Sequence, residues 1–422
     1  MTQQASAEEA RKAYEAARAE ADAVTITEDG LARARARIGV EVPIRRADWS
    51  VCSLDALYHY CQGLGDDNPL FWNEEYARQT RWGGVIAPHM FVTNMGTSRV
   101  RVLTKDGRPL TPEEREAGEH ALAGLHGWYS GDDVEFFQPI RVGDSLTVKH
   151  YLKDLIVKRS EFAGTTVHRI TRWEWVNQNG HLVAISDNLL ISGGREANRG
   201  DRQKYAKEEP AIYTPKQIEE IAAACVQEVK NRRGAPPRYW EDVNVGDELP
   251  PIIKGPLTVS DMIAWNYGDG LTFIAGAHRI MMLDYSRHPL AYPITEQGIP
   301  DVVERVHWDN ELGRRTGNPG AYDYGKQRVA WMGHLVTDWI GDDGWMRKLS
   351  VQFRRFNYLG DTTWCKGKVA EKVVENGEHR VTLDLWADDQ RGRQTTIGKA
   401  VVQLPSRVDG PVKLPVITPD WW

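Results

Sequence analysis

Apolar residues recur along this chain in two periods. Alternation marks strands at residues 145–155, 182–192, 362–373 and 395–404. Segments such as Thr147-Val148-Lys149-His150-Tyr151-Leu152 and Trp364-Cys365-Lys366-Gly367-Lys368-Val369 put every second side chain on one face. Helical stretches come before and between these runs. Ser6-Ala7-Glu8-Glu9 fits a capping box, and an Ala/Glu/Arg-rich run to Val24 continues it as a polar, solvated arm. Thr214-Pro215-Lys216-Gln217 is a second capping box with Pro at the first helical position. It opens a helix through about Lys230, which Gly234-Ala235-Pro236-Pro237 stops.

The pattern occurs twice. Val134-Glu135-Phe136 precedes Gly143-Asp144 by the same spacing as Val351-Gln352-Phe353 precedes Gly360-Asp361. Strand-type residues follow each Gly-Asp, then a polar turn (Gln178-Asn179-Gly180-His181; Gln390-Arg391-Gly392), then another strand-type run. Upstream, Leu54-Asp55-Ala56-Leu57-Tyr58-His59-Tyr60 leads to Gly65-Asp66-Asp67-Asn68-Pro69-Leu70, and Ser260-Asp261-Met262-Ile263-Ala264-Trp265 leads to Gly268-Asp269-Gly270. Helix followed by antiparallel sheet, twice, is an α+β duplication; the period is too long for a solenoid. The expected units are an arm (1–30), a first half (31–193), a linker with a helix (194–237) and a second half (238–422). A further capped helix is expected at 111–124.

Composition narrows the class. The 422 residues carry 53 Lys+Arg against 59 Asp+Glu, a formal net charge of −6, which disfavours a nucleic-acid binder. No apolar run approaches the ~20 residues of a membrane span, and the N-terminus has no apolar leader core. The 4 cysteines form no Cys-X-X-Cys pair, which fits a reducing cytoplasm and excludes a zinc ribbon. His278, His288 and His334 show no metal-ligand spacing, so no metal is expected. The 16 Trp either fill the core or line an apolar pocket. No Gly-X-Gly-X-X-Gly turn and no Gly-X-Ser-X-Gly elbow appear, which leaves a dinucleotide fold and an α/β hydrolase unsupported.

The Gly65–Leu70 cluster, with Pro139-Ile140-Arg141-Val142-Gly143-Asp144, resembles the hydratase motif of the MaoC-like dehydratases and R-specific enoyl-CoA hydratases, Asp-X-Asn-Pro-X-His-X-Asp. The resemblance covers most of residues 31–405. It implies a double hot dog, two tandem domains of a long helix wrapped by antiparallel sheet. It implies reversible addition of water to a 2-enoyl-CoA, giving a 3-hydroxyacyl-CoA, in a cytoplasmic homodimer. Coenzyme A enters as part of the substrate and no further cofactor is needed. Asp66, Asn68 and Pro69 match the motif, but Phe71 replaces its His. Phe71-Trp72-Asn73-Glu74-Glu75 aligns with His307-Trp308-Asp309-Asn310-Glu311, so the second half keeps the His. Residues 271–305 read as an insertion that splits the second motif. The resemblance therefore implies His307 as acid/base, Asp269 (or Asp284 or Asp301) as its partner on the water, and Gly325 as the amide that holds the thioester oxygen. Histidine suits this work because it exchanges protons near neutrality, and preorganised amides stabilise a developing oxyanion.

At the place of Gly325 the first half has Ala87-Pro88-His89, and Pro lacks an amide hydrogen. The first half is thus expected to be non-catalytic and to shape the acyl pocket, with Asp66, Asn68, Tyr324 and Arg328 contacting substrate. Arg279, Arg328, Arg354 and Arg355 are candidates for coenzyme A phosphates. The insertion and the many Trp suggest a bulky acyl group. Taken singly, these residues also have ordinary readings: Asp66, Asn68 and Asp269 as turn or cap residues, His307 as a half-buried core histidine, Gly325 as a conformational glycine. Two other functions fit the same scaffold, a thioesterase and a non-catalytic acyl-binding partner subunit.

Overall fold

A computed structural model describes residues 3–21, 26–42, 49–98, 126–160, 164–193, 208–270, 274, 276–316 and 318–422. The helix expected at 111–124 lies outside the described residues. The chain opens with α1 (Gln3–Ala21) and α2 (Glu28–Arg35). The first half follows with α3 (Leu54–Leu64), α4 (Glu74–Arg78), β1 (Thr97–Ser98), β2 (His126–Phe136), β3 (Leu146–Ser160), β4 (Gly164–Asn177) and β5 (Leu182–Gly193). Helix α5 (Pro215–Asn231) leads to the second half: β6 (Glu248–Lys254), α6 (Val259–Asp269), α7 (Arg279–Arg287), α8 (Asn310–Arg315), α9 (Gly325–Ile340), β7 (Trp345–Phe353), β8 (Thr363–Glu375), β9 (Glu378–Asp389) and β10 (Gln394–Gln403).

The capping box at Thr214 forms as expected: Thr214 N–H donates to Gln217 Oε1 at 2.9 Å, and Gln217 N–H to Thr214 Oγ1 at 3.4 Å. The one at Ser6 does not. Helix α1 already starts at Gln3, so Ser6 sits inside it and has no cap to make.

The ten strands among the described residues join one sheet in the order β1-β3-β4-β5-β2-β7-β10-β9-β8-β6. The two halves meet at the antiparallel β2–β7 pair, where Val134 faces Leu349 and both are fully buried. Burial along β9 alternates, with Val381, Leu383, Leu385 and Ala387 inward, which is the period-two signal of a sheet with one buried face. That face wraps α9, whose residues from Gln327 to Ile340 are all buried. Its Trp331, Met332, Leu335 and Val336 are each at most 1% exposed, and each contributes roughly 1.5–3 kcal/mol of burial. At the matching place the first half has a 3-10 turn, His89–Asn94.

Helices α3 and α6 pack closely across the halves. A Cβ at Gly63 would lie 2.5 Å from Ala264 O, and one at Gly268 would lie 2.6 Å from His59 O. Each glycine is the tenth residue of its helix, so the duplication is also a two-fold relation in space. The chain ends trade places. Tyr14 of α1 donates to Leu290 O at 3.1 Å, and Glu15 pairs with Arg315 at 2.8 Å, both in the second half. The C-terminal segment runs back over the first half, where Ile417 O accepts from Leu182 N–H at 2.8 Å and Pro415 O from Gln138 Nε2 at 2.7 Å.

Candidate active site

The two halves superpose their motifs through local structure. In the first, the 3-10 turn Pro69–Phe71 ends before Asn73, which caps α4 by accepting from Tyr76 N–H at 3.1 Å. In the second, the 3-10 turn Val303–His307 ends before Asp309, which caps α8 by accepting from Glu311 N–H at 2.8 Å. This register sets His307 at Phe71, as the sequence predicts. It also sets Glu304 at Asn68 and Val302 at Asp66, so the carboxylate of the motif is replaced by a buried valine.

His307 is fixed from both sides. Its Nδ1 lies 2.7 Å from Tyr322 O, so Nδ1 carries the proton and Nε2 is left as an acceptor. Its ring stacks on Tyr324 with centroids 3.8 Å apart. Nε2 lies 3.7 Å from Glu304 Oε1. The Tyr324 hydroxyl accepts from Asn266 Nδ2 at 2.8 Å and hydrogen-bonds with Glu304. Burial lowers the His307 imidazole to about 4. Burial, aided by the Asp269 charge, raises the Glu304 carboxyl to about 7. Two adjacent groups are thereby both held towards their neutral forms near pH 7.

Asp269 takes a different place from the one expected. It is buried at the end of α6 and pairs with Lys326 at 2.7 Å. Asp284 accepts from the Tyr292 hydroxyl at 2.6 Å, and Asp301 pairs with Arg305 at 3.4 Å. Among the described residues, the carboxylate that reaches His307 is Glu304. Its signal was in the sequence, three residues before His307, but only the register of the halves identifies it.

Gly325 is the first residue of α9. Its amide has no acceptor within the helix, and no side chain caps this terminus. The macrodipole adds positive potential at that point. Tyr129 of β2 and Phe353 of β7 lie against the Gly325 Cα; a Cβ there would collide with Tyr129 and come within 2.8 Å of Phe353 Cε2. The Tyr129 hydroxyl donates to Asp132 at 2.8 Å. The first half thus supplies one wall beside the second-half site.

The remaining expected residues lie elsewhere. Arg328 does not face a substrate: its guanidinium is buried, held by both oxygens of Asp323 and by Arg355 O. Asp66 and Asn68 are buried turn residues, Asp66 Oδ1 accepting from Asn68 N–H at 3.0 Å and Asn68 Oδ1 from Leu70 N–H at 3.1 Å. Asn68 also lines a small crevice with Phe71, Trp82, His89, Thr337 and Trp345.

Asp66 has a partner the sequence did not reveal. His334 Nε2 of α9 lies 3.5 Å from Asp66 Oδ1 and 3.4 Å from Asp338 Oδ2. Burial alone lowers His334, but Asp66 and Asp338 outweigh it and raise its pKa. Donor atoms of Asp66, His334 and Asp338 lie within 4.8 Å of one another, a set able to hold a cation. Lys254 Nζ, 2.8 Å from His334 Nδ1 and 3.1 Å from Leu64 O, already brings positive charge there.

Residues 39–186 match the family described as FAS1-like, dehydratase domain region. Among solved structures, a MaoC-like dehydratase aligns over 88% of this chain and 99% of its own, with a TM-score of 0.58 and 16% identity. The chain shares the fold of that dehydratase, a double hot dog. A MaoC domain dehydratase from Chloroflexus aurantiacus J-10-fl aligns over 88% of this chain and 96% of its own, at 12% identity and a TM-score of 0.51. No curated protein matches the chain. The family match falls on the half that has Phe71 at the place of His307, while His307 and Gly325 lie in the other half. Among the described residues, no helix is long and apolar enough to cross a membrane.

Proposed function

We propose that the second half of this double hot dog protein is an acyl thioester hydratase or dehydratase. The reaction is reversible addition of water to a 2-enoyl-CoA, giving a 3-hydroxyacyl-CoA. The observation that carries the reading is the pairing of His307 with Gly325: a neutral imidazole with a free Nε2, and an uncapped helix N-terminus two residues beyond the Tyr322-Asp323 segment that holds the His. His307 Nε2 takes a proton from water as the oxygen attacks the β-carbon. Negative charge moves to the thioester oxygen, where the Gly325 amide and the α9 dipole stabilise it. Tyr129 and Phe353 then shape the acyl pocket, and the protein works as a cytoplasmic homodimer with no metal or redox cofactor.

The thioesterase alternative asks for an ionised carboxylate to activate water at the carbonyl. Burial works against it here by pushing the Glu304 carboxyl up to about 7. The test is loss of enoyl-thioester absorbance with a thiol trap in parallel, across short, branched, aromatic and polycyclic acyl groups. Absorbance loss without thiol release is the expected result, and His307→Ala lowers kcat at least 10²-fold. Thiol release, or retained turnover in His307→Ala, refutes the reading.

A further inference from the structure

Addition of water across a double bond needs two proton transfers, one at the water and one at the α-carbon. Resting on the hydratase reading, we infer that Glu304 is the second proton-transfer group of this site and delivers the α-proton while His307 works on the water. The position from which the motif ordinarily offers its carboxylate is held here by Val302, which is buried and has nothing to donate. The acid has moved two residues along the same 3-10 turn and gained a methylene, which brings Glu304 Oε1 to 3.7 Å from His307 Nε2. The other acids considered have left the role: Asp269 to Lys326, Asp284 to Tyr292, Asp301 to Arg305.

The surroundings suit a proton donor. Glu304 is 8% exposed. The groups facing it are His307 from its own turn, Tyr322 and Tyr324 from the segment before α9, and Asp269 from α6, whose charge Lys326 partly offsets. Burial and Asp269 both favour the protonated carboxyl, while the Tyr324 hydroxyl bond favours the anion and holds the side chain in place. A water about 2.8 Å from both Glu304 and His307 is geometrically allowed at their separation.

The cycle balances. The water oxygen bonds to Cβ as His307 Nε2 takes its proton, and the C=C electrons shift through Cα to the thioester oxygen. Those electrons return to Cα to take the Glu304 proton, leaving His307 as the cation and Glu304 as the carboxylate. Direct or water-bridged transfer from His307 to Glu304 restores both, with only water consumed. Dehydration runs the same steps backwards.

The test uses the full-length protein and two isotope readouts. With the best enoyl-CoA from the substrate screen, Glu304→Gln lowers kcat at least 10²-fold, and Glu304→Asp retains an intermediate rate. The wild-type hydration rate falls as pH rises through about 7, and Glu304→Gln loses that limb. With the saturated acyl-CoA of the same chain, which cannot lose water, wild type and His307→Gln exchange the α-proton for solvent deuterium and Glu304→Gln does not. Exchange that persists in Glu304→Gln, or a wild-type rate and pH profile in that variant, overturns the inference and leaves the hydratase reading standing. A wild-type protein that hydrates no enoyl-CoA overturns the reading itself, and the inference with it.

Discussion

Gly325→Ala tests how tightly the first half closes on the second-half site. The added methyl collides with the Tyr129 ring and sits 2.8 Å from Phe353 Cε2. Neither atom is the end of a flexible side chain, so the rings or the start of α9 must move. Overpacking of this kind costs about 1–3 kcal/mol. If Tyr129 is the group that yields, its 2.8 Å bond to Asp132 is stretched as well, adding about 0.5–1.5 kcal/mol. The substitution keeps the Gly325 N–H, so lost activity reports displaced geometry rather than a missing donor. Displacing an oxyanion donor costs on the order of 10²–10³ in kcat. The assay is a double-mutant cycle with Tyr129→Leu, scored by urea unfolding and by hydration kinetics. Tyr129→Leu relieves the clash, so the pair together is less destabilised than the sum of the two single changes. Gly325→Ala with wild-type stability and wild-type kcat refutes the close packing of Tyr129 on the helix terminus; strict additivity refutes Tyr129 as its cause.

The acid–base pair also predicts a pH signature in stability. His307 is lowered to about 4 when folded, so its contribution is present above about pH 6.5 and lost as pH falls towards 4. Glu304 is raised to about 7, so its contribution is present below about pH 4.5 and lost as pH rises towards 7. Between pH 4.5 and 6.5 the two slopes oppose each other. Relative to wild type, His307→Gln makes unfolding free energy fall more steeply with pH in that window, and Glu304→Gln makes it rise; equal slopes in all three proteins refute the opposed burial of the pair. His89 offers a separate check, because neither ring nitrogen has a hydrogen-bond partner among the described residues while the ring packs 4.3 Å from Trp345. His89→Leu keeps the apolar contacts and removes the buried polar atoms, so urea unfolding shows a gain of about 1 kcal/mol; a loss of that size means the imidazole is satisfied after all.

Much of the fold was legible along the chain. The repeated Phe…Gly-Asp spacing and the period-two strands determine two similar α+β halves, because a strand with one buried face must alternate. Phe71 against His307 pointed to the second half, since an aromatic ring exchanges no proton; the structure sets Pro88 at Tyr324 and His89, which has an amide hydrogen, at Gly325, so the proline does not separate the halves. The sequence missed what depends on three-dimensional proximity. Asp269 stood at the end of a helix like Asp66 and invited the same role, but Lys326 of α9 pairs with it. Arg328 looked like a phosphate contact until Asp323, five residues upstream, took it into the core. Glu304 acts in the site only because a 3-10 turn places residues three apart on one side. His334 meets Asp66 across 268 positions of sequence, and the packing of α9 under the joined sheet decides that. Local pattern determined the elements and which half keeps the motif histidine. Which carboxylate serves the histidine was decided by tertiary packing, because a buried charge takes the partner nearest in space, whatever its distance along the chain.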